Sequence, residues 1–295
     1  RTISAGELHA ETVVNACDAL SRMIGETHIA LLKSVGVPPE KAGEYIREAK
    51  LLLCRENLLQ RLKTELGDDY SLTKAFLTEN PRLSVQEKRM PLGVLLHIAA
   101  GNQYGLAFYS VIEGLLTGNI NLVKLPSGDD GLSALIFLEL FKIEPRLKDY
   151  VYLFDYTSKN TEAMQKLIRL SDAVVVWGGD QAVREIRHMA GPDTKLIEWG
   201  HKLSFAYVTH GGMTEGLLQG LAENIVETNQ LLCSSCQGVY LNTDAMDAVY
   251  RFCELFLPIL DRCRKERGGE LPLEIQAQTG LSLYTERLKG GPCRV

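Results

Sequence analysis

The sequence predicts an α/β protein with a parallel β-sheet at its centre. From about residue 91 onward, short apolar runs alternate with helical segments. The runs are continuously apolar, which is typical of strands that helices cover on both faces. Glycine-containing turns, such as Gly101-Asn102 and Gly178-Gly179, follow two of these runs directly. We therefore expect a parallel sheet that lies between two layers of helices.

The N-terminal part of the chain is predicted to be helical. Between residues 6 and 66, apolar residues recur at spacings of three and four, with one break at Gly36-Val37-Pro38-Pro39. Asn80-Pro81 then marks a turn. We assign residues 1–85 to an N-terminal helical segment.

The remaining elements are assigned in chain order from the apolar runs and the turn residues between them. Residues 86–202 are assigned to a domain built around the parallel sheet, and residues 203–295 to the start of a second domain. The predicted strands are residues 94–98, 121–124, 151–154, 173–177, 195–197, 203–208 and 238–241. The predicted helices are residues 106–116, 132–141, 161–170, 181–190, 215–229 and 244–263.

Composition narrows the classes of function. The 295 residues carry a net charge of −5, which gives no basic surface for nucleic acid. No apolar run approaches the ~20 residues of a membrane span. Seven scattered cysteines do not suggest a disulfide framework, so we expect a cytoplasmic protein. The chain begins without methionine and ends abruptly, so we expect a fragment whose second domain is incomplete at its C-terminus.

The segment around Cys233 carries the strongest chemical signal. Cys233 lies between a predicted helix and a predicted strand, where free backbone N–H groups can stabilise a thiolate or a developing oxyanion. Cys233 and Cys236 also form a C-x-x-C pair, which leaves a redox dithiol or half of a zinc site open. The six histidines show no ligand spacing to this pair, so we assign no metal ligand.

Two positions predict a phosphate-containing ligand. Gly178 and Gly179 follow a buried strand and precede a helix that Asp180 is expected to cap, although a tight turn alone would look the same. Lys124 ends another strand, at the sheet edge where ligands bind in α/β proteins, but it could simply extend its ammonium into water. The absence of an acid at Ser127 favours a ribose 2′-phosphate.

Three further polar residues have competing interpretations. Asn102, after the first core strand, could donate to an oxyanion or could only form a turn. Glu198 could act as a base, or could pair with Lys195, Lys202 or a cofactor hydroxyl. His97 lies within a strand, and we predict a core histidine with satisfied hydrogen bonds.

The order of these motifs resembles the aldehyde dehydrogenase superfamily, within which it is most similar to the LuxC-type fatty acyl-CoA reductases. The resemblance covers about residues 86–241. It is carried by Pro91-Leu92-Gly93-Val94, Ala99-Ala100-Gly101-Asn102, Gly118-Asn119, Val123-Lys124, Trp177-Gly178-Gly179-Asp180, Glu198-Trp199-Gly200 and Asn229-Gln230-Leu231-Leu232-Cys233. The chain departs from the superfamily pattern at His201, where a small residue is usual.

The resemblance implies a fold, a set of roles and a reaction. Residues 86–202 would be a Rossmann-like NAD(P)-binding domain and residues 203–295 the start of the catalytic domain. Cys233 would be the nucleophile, Asn102 an oxyanion donor and Glu198 the superfamily's glutamate. Lys124 and Ser127 would contact the adenosine ribose, and Gly178 and Gly179 the pyrophosphate, with NADP(H) favoured over NAD(H).

The implied reaction is NAD(P)H-dependent reduction of an acyl-CoA to an aldehyde, with CoA as the leaving group. Two alternatives stay open at this point. One is oxidation of an aldehyde to an acid on the same scaffold. The other is a truncated, non-catalytic protein that binds a nucleotide or a partner. Homo-oligomers are expected if the full-length protein carries further C-terminal elements.

Overall fold

The computed structural model describes residues 7–37, 39–68, 70, 75–78, 85–101, 105–126, 129, 131–157, 159–209, 212–227, 229–230, 232–267 and 273–289. The chain divides into two compact units, one that ends at Gly200 and one that begins at His201. The predicted α/β class with a parallel sheet is confirmed. None of the helices within the described ranges is both long and apolar enough to cross a membrane.

The first unit begins with helices and continues with alternating strands and helices. In chain order these elements are α1 (Ala10–Met23), α2 (Glu26–Ser34), α3 (Pro39–Leu53), α4 (Arg55–Leu66), β1 (Ala75–Thr78), β2 (Val85–Lys88), β3 (Val94–Ile98), α5 (Leu106–Leu116), β4 (Ile120–Lys124), α6 (Leu132–Ile143), a 3-10 turn (Pro145–Asp149), β5 (Val151–Phe154), α7 (Thr161–Arg169), β6 (Ala173–Trp177), α8 (Asp180–Met189) and β7 (Lys195–Trp199).

The N-terminal region differs from its prediction in two details. Helices are present where they were predicted between residues 6 and 66, but the chain breaks at Gly25 and Cys54 as well as near Gly36, and these two residues are the N-caps of α2 and α4. The antiparallel hairpin of β1 and β2 was not predicted. The predicted turn at Asn80-Pro81 lies outside the described residues.

Five strands form the central sheet of this unit. Their order is β5-β4-β3-β6-β7, and all neighbours are parallel. Helices α5 and α6 share a core with α1, α4 and Val123, whereas α7 and α8 pack against Leu96, Leu122, Val174 and Val176. Adjacent residues of one strand point to opposite faces, so these two cores lie on the two sides of the sheet. Burial on both sides explains why the strands are continuously apolar.

Gly93 shows why the entry to this sheet needs a glycine. Its φ of +118° is unfavourable for other residues, and an added Cβ would collide with Asp172 Oδ2. The Asp172 carboxylate accepts from the Val94 N–H at 2.7 Å. The close approach of Gly93 thus lets Asp172 join the loop before β6 to the start of β3.

The second unit is a smaller α/β arrangement. Its elements are β8 (Ser204–Val208), α9 (Glu215–Glu227), β9 (Cys236–Leu241), α10 (Met246–Arg267) and α11 (Leu273–Leu288). Strands β8 and β9 are parallel, and α9 connects them. Val208, α9 and the buried face of α10 share one core. Helix α11 was not predicted, and β9 begins two residues earlier than expected, at Cys236.

Candidate functional site

The chain order of the sheet defines a crevice in the first unit. Strands β3, β4 and β5 extend the sheet in one direction, and β6 and β7 then extend it in the other. In open α/β sheets, ligands bind beyond the carboxyl ends of the strands at such a reversal. Here the reversal lies between β3 and β6, so the turns that begin at Ala99 and Gly178 flank it.

The turn after β6 has space for a ligand. An added Cβ at Gly179 would meet no atom within 4 Å, whereas one at Gly178 would lie 3.1 Å from Ala182 Cβ. Gly178 therefore allows close packing on α8, and Gly179 leaves the helix N-terminus open. Asp180 is the first helical residue and Gly179 is the N-cap, so the predicted cap by Asp180 is wrong. An N-terminus without a side-chain cap keeps its N–H groups available to a phosphate.

Lys124 lies at the carboxyl end of β4, next to the crevice. It is 5% exposed and pairs in register with Ile98 of β3 and Phe154 of β5. Burial lowers the pKa of Lys124, and the nearby Asp155 carboxylate partly opposes this effect. A nearly buried ammonium at a strand end is a suitable partner for a polar ligand group, such as a ribose hydroxyl.

Two more residues were predicted at this edge of the sheet. Asn102 and Ser127 lie outside the described residues. Gly101 and Pro126 precede them directly, and an added Cβ on Gly101 would lie 3.4 Å from Pro126 Cβ. The turns after β3 and β4 therefore approach each other at this edge of the sheet.

Glu198 is paired with an arginine. The Arg187 guanidinium, on α8, donates from Nε to Glu198 Oε1 at 3.0 Å and from Nη2 to Oε2 at 2.5 Å. The Glu198 side chain is 24% exposed and that of Arg187 62%. Of the alternatives that the sequence left open for Glu198, pairing with a basic residue is the one seen here, but the partner is Arg187 of the neighbouring helix and not Lys195 or Lys202.

His97 is a core residue with a complete set of partners, as predicted. Its Nε2 lies 2.9 Å from Asn121 Oδ1, an acceptor, so Nε2 carries the proton. Its Nδ1 therefore accepts from the Ser110 hydroxyl at 2.7 Å, and Ser110 Oγ accepts from Trp177 Nε1 at 3.1 Å. The Asn121 amide N–H groups donate to backbone carbonyls. Burial lowers the pKa of His97 to about 4, although its bond to Asn121 opposes this shift.

In the second unit, Cys233 lies in a turn that its neighbours hold in place. Ser235 has no exposed surface, and its Oγ accepts from the Leu232 N–H at 3.0 Å, while its own N–H donates to Leu232 O at 3.0 Å. Ser204 Oγ, at the start of β8, donates to Cys233 O at 2.6 Å. The Cys233 backbone is thus fixed on both sides of the thiol.

The residues before Cys233 have a demanding backbone conformation. Asn229 and Gln230 have φ values of 47° and 56°, a region that residues other than glycine rarely occupy. Two bonds hold Gln230 there: its Nε2 donates to Cys236 O at 2.9 Å, and its carbonyl accepts from Gln237 Nε2 at 2.6 Å. Such conformations cost about 1–3 kcal/mol each and persist only where the surroundings fix them.

The thiols of the chain differ strongly in accessibility. Burial raises the pKa of Cys17 to about 12 and also raises the pKa of Cys263, so neither readily forms a thiolate. The Sγ of Cys236 donates to Gly238 O at 3.2 Å. Among the described cysteines, all free thiols, Cys233 is exposed, Cys54 and Cys253 are partly exposed, and Cys17, Cys236 and Cys263 are buried.

The C-x-x-C pair is therefore divided between two environments. The first thiol faces solvent, and the second is buried at the start of β9. No group of three or more metal-ligating His, Cys, Asp or Glu residues occurs in the part of the chain that the structure describes.

Several residues around these positions were not predicted from the sequence. Arg187 could have been noticed as one of the basic residues in the last turn of α8. Ser204, Ser235 and Gln230 gave no comparable signal, because serines and glutamines are common in turns and at strand ends. Their importance depends on contacts that only the folded backbone creates.

Solved structures that share this fold include aldehyde dehydrogenases. The chain aligns with aldehyde dehydrogenase 21 from Physcomitrella patens at a TM-score of 0.67 and 12% identity, over 88% of this chain and 53% of that one. It also aligns with a double mutant of betaine aldehyde dehydrogenase from Staphylococcus aureus in complex with NAD⁺. The TM-score is 0.66 and the identity 15%, over 86% of this chain and 50% of that one. These likenesses define the fold class and confirm the predicted aldehyde dehydrogenase-like fold.

Comparison of the amino-acid sequence with known families identifies a narrower group than the fold does. The family described as acyl-CoA reductase (LuxC) matches residues 7–266, and the chain belongs to this family. A relative from Aliivibrio fischeri, named long-chain acyl-protein thioester reductase, is 26% identical over 219 residues, or 72% of this chain and 45% of the relative. A relative of the same name from Vibrio harveyi is 25% identical over 73% of this chain and 45% of its own length. The chain thus spans a little under half of these curated relatives.

Proposed function

We propose that the protein is an NAD(P)H-dependent acyl-CoA reductase, which converts a long-chain acyl thioester to an aldehyde through an acyl-enzyme on Cys233. The observation that carries the proposal is the Cys233 turn, in which an exposed thiol stands on a backbone fixed by Ser204 and Ser235. Membership of the LuxC family supports the choice of an acyl thioester as the electrophile.

In the first step, the Cys233 thiolate attacks the carbonyl carbon of the acyl-CoA. The carbonyl oxygen becomes an oxyanion, and collapse of this tetrahedral adduct expels the CoA thiolate and leaves the acyl group on Cys233. Among the described residues, the N–H groups of Cys233 and Ser234 donate to no protein acceptor. These N–H groups, together with Asn102 as the family resemblance implies, are the proposed oxyanion donors.

The crevice of the first unit fits a dinucleotide. Gly179 leaves open space at the N-terminus of α8 for a pyrophosphate, and the nearly buried Lys124 can bind a ribose hydroxyl. A bound NAD(P)H would supply the hydride that reduces the acyl-enzyme carbonyl. The Cys233 thiolate then leaves from the resulting thiohemiacetal, which releases the aldehyde and restores the thiolate. We favour NADP(H) because no acidic residue occupies position 127.

The carrier of the acyl group is proposed to be CoA. The relatives are named for acyl-protein thioesters, and the family is named for acyl-CoA. Both carriers present the same thioester carbonyl to Cys233, so the chemistry at the cysteine is the same. The carrier therefore has to be determined by comparing the two substrates directly.

The test is a product assay with the whole chain. Hexadecanoyl-CoA with NADPH, and separately with NADH, should yield hexadecanal and free CoA, with the higher rate for NADPH. Hexadecanal with NADP⁺ should yield little acid. Dominant acid formation would instead identify an aldehyde dehydrogenase, and cofactor binding without either reaction would identify a non-catalytic protein.

Glu198→Gln separates the two enzymatic alternatives further. Reduction requires no attack by water, whereas oxidation to an acid requires a base that activates water. We therefore expect Glu198→Gln to leave the rate of acyl-CoA reduction within about twofold and to suppress the remaining acid formation. Equal loss of both activities would contradict the proposed route.

A further inference from the structure

The turn that carries Cys233 has a central peptide group that can face either of two ways. Residues 232–235 form a β-turn, in which the Ser235 N–H donates to Leu232 O at 3.0 Å. Its central peptide joins Cys233 to Ser234. Type I and type II turns differ in the orientation of this peptide, and type II requires a positive φ at the second central residue. The orientation decides which side of the turn receives the Cys233 carbonyl and which receives the Ser234 N–H.

In the structure, Ser204 holds this peptide in one orientation. Its hydroxyl donates to Cys233 O at 2.6 Å. Ser204 begins β8 and lies in register with Cys236 of β9, so the pairing of the two strands brings its side chain beside the turn. Ser234 does not have a positive φ, which excludes a type II turn. The strand pairing and the backbone of Ser234 therefore favour the same orientation.

The held carbonyl determines the direction of the Ser234 N–H. The peptide bonds of the described residues are all trans, and the C=O and N–H of a trans peptide point in opposite directions. Because Cys233 O is directed at β8, the Ser234 N–H is directed away from it. Cys233 and Ser234 are both exposed, and within the described ranges this N–H donates to no protein acceptor. A donor of this kind, next to the nucleophile, is suited to a developing oxyanion.

We infer that Ser204 is a positioning residue, whose hydroxyl fixes the peptide between Cys233 and Ser234 so that its N–H, rather than its carbonyl, is available to the oxyanion of the acylation step. The inference rests on the proposed function, because this oxyanion forms only when the Cys233 thiolate attacks a thioester. In the opposite orientation, the partial negative charge of the carbonyl oxygen would repel the oxyanion. Ser204 acts through the backbone and does not touch the reacting atoms.

The test compares two electrophiles that react with the same thiolate. Hexadecanoyl-CoA, without nicotinamide cofactor, acylates Cys233 through an oxyanion and releases CoA, which rapid mixing follows. Iodoacetamide forms a thioether by displacement of iodide from a tetrahedral carbon, so no oxyanion develops, and mass spectrometry of the Cys233 peptide follows its rate. Ser204→Ala should slow acylation roughly tenfold, the loss expected for one hydrogen bond, and should keep the rate of alkylation within about twofold of the wild type.

Three further variants make the test specific. Ser204→Thr keeps a hydroxyl on a residue that favours strands, and it should be acylated at nearly the wild-type rate. Ser234→Gly removes the steric cost of a positive φ, so Ser204→Ala should have a larger effect in its presence. The double variant should be acylated roughly 10²-fold more slowly than the wild type, as when an oxyanion donor is lost. Ser282→Ala is the matched control, because Ser282 is exposed and its Oγ donates to Gln278 O of its own helix.

The outcomes distinguish this inference from the proposed function. If iodoacetamide alkylates Cys233 of the wild type but hexadecanoyl-CoA releases no CoA, the proposed function fails, and the inference fails with it. If the wild type is acylated and Ser204→Ala is acylated equally fast, only the role of Ser204 is overturned. Parallel loss of acylation and alkylation in Ser204→Ala would place the defect in the thiol, and equally slow acylation of Ser204→Thr and Ser204→Ala would exclude the hydroxyl. Either result also overturns the inference.

Discussion

Two polar clusters of this protein contain residues that are often catalytic, and they are built in opposite ways. Around His97, the ring nitrogens, the Ser110 hydroxyl and the Asn121 amide all have partners, and the cluster is buried. Around Cys233, the partners hold the backbone, and the thiol itself faces solvent. The His97 side chain therefore has both of its ring nitrogens in hydrogen bonds, whereas the Cys233 side chain is accessible to a substrate.

This difference is the structural reason why Cys233, rather than His97, is proposed as the reactive residue. A buried histidine with both nitrogens bonded contributes to a unique fold, because every polar group it brings into the core is satisfied. An exposed cysteine on a fixed turn loses little entropy when it meets a substrate. Residue type alone does not separate the two cases. What separates them is whether the hydrogen bonds involve the side chain, as at His97, or the backbone, as around Cys233.

Cys233→Ala tests the reactive side of the comparison and should have the largest effect. We expect acyl-CoA reduction to fall by roughly 10³-fold or more, as is usual when a covalent nucleophile is removed. Cys236→Ala is the matched control, since its buried thiol donates to the Gly238 carbonyl of its own strand, and it should keep most of the activity. Aldehyde formation measures both. Equal loss in the two variants would contradict the assignment of one nucleophile.

Gly114→Ala tests how tightly the His97 cluster is packed. An added Cβ on Gly114 would collide with Asn121 Oδ1, which accepts from His97. We expect the free energy of unfolding to fall by about 3 kcal/mol, from overpacking and a broken buried hydrogen bond. Urea denaturation measures this change.

A glycine in another helix provides the control for this substitution. An added Cβ on Gly220, an exposed residue of α9, would meet nothing within 4 Å. Gly220→Ala should therefore stabilise the protein by about 0.5–1 kcal/mol. If both variants were equally stable, the His97 cluster would be looser than the structure indicates.

The protonation of His97 gives a pH test of the same cluster. Burial lowers its pKa from 6.5 to about 4, so below pH 6.5 the unfolded chain binds a proton that the folded chain excludes. The contribution of His97 to stability is therefore complete above pH 6.5 and decreases as the pH falls towards 4. Between pH 7 and pH 5 it should decrease by about 2 kcal/mol.

His97→Gln isolates this contribution from all other titrating groups. The variant is less stable at pH 7, but its free energy of unfolding should fall less between pH 7 and pH 5 than that of the wild type. The difference between the two slopes is the measured quantity. Identical slopes would show that His97 titrates normally and that its cluster is open to water.

Ser235→Ala should have the smallest effect, because it changes the position of Cys233 rather than its chemistry. The Leu232 N–H loses its acceptor in this variant, which should raise the activation free energy of acylation by about 1.4 kcal/mol. Acylation should therefore be roughly tenfold slower, with little change in the fold. Ser234→Ala, at the exposed neighbouring position, is the control. Rapid-mixing measurements of CoA release distinguish them, and equal rates would exclude a positioning role for Ser235.

The sequence was sufficient to predict the parallel sheet and the positions of its strands along the chain. Continuous apolar runs such as residues 173–177 can be read directly, because burial on both faces leaves no alternation. Cys233 could be singled out because helix and strand signals meet beside it. The hairpin of β1 and β2 was missed although Asn80-Pro81 predicted a turn, since each strand has only four residues and neither run was recognised as a strand.

The partners of the site residues were harder to foresee than the residues themselves. Glu198 was a clear candidate, but its pairing with Arg187 depends on the packing of α8 beside β7. Likewise, the contact of Ser204 with the Cys233 carbonyl joins positions 29 residues apart. Such contacts follow from tertiary geometry, which local patterns do not encode.

The most direct test of the central claim is mass spectrometry of the protein after incubation with hexadecanoyl-CoA alone. The account predicts one hexadecanoyl group in thioester linkage on the peptide that contains Cys233, and its disappearance after addition of NADPH, with release of hexadecanal. An unmodified Cys233, or an acyl group on another cysteine, would contradict it.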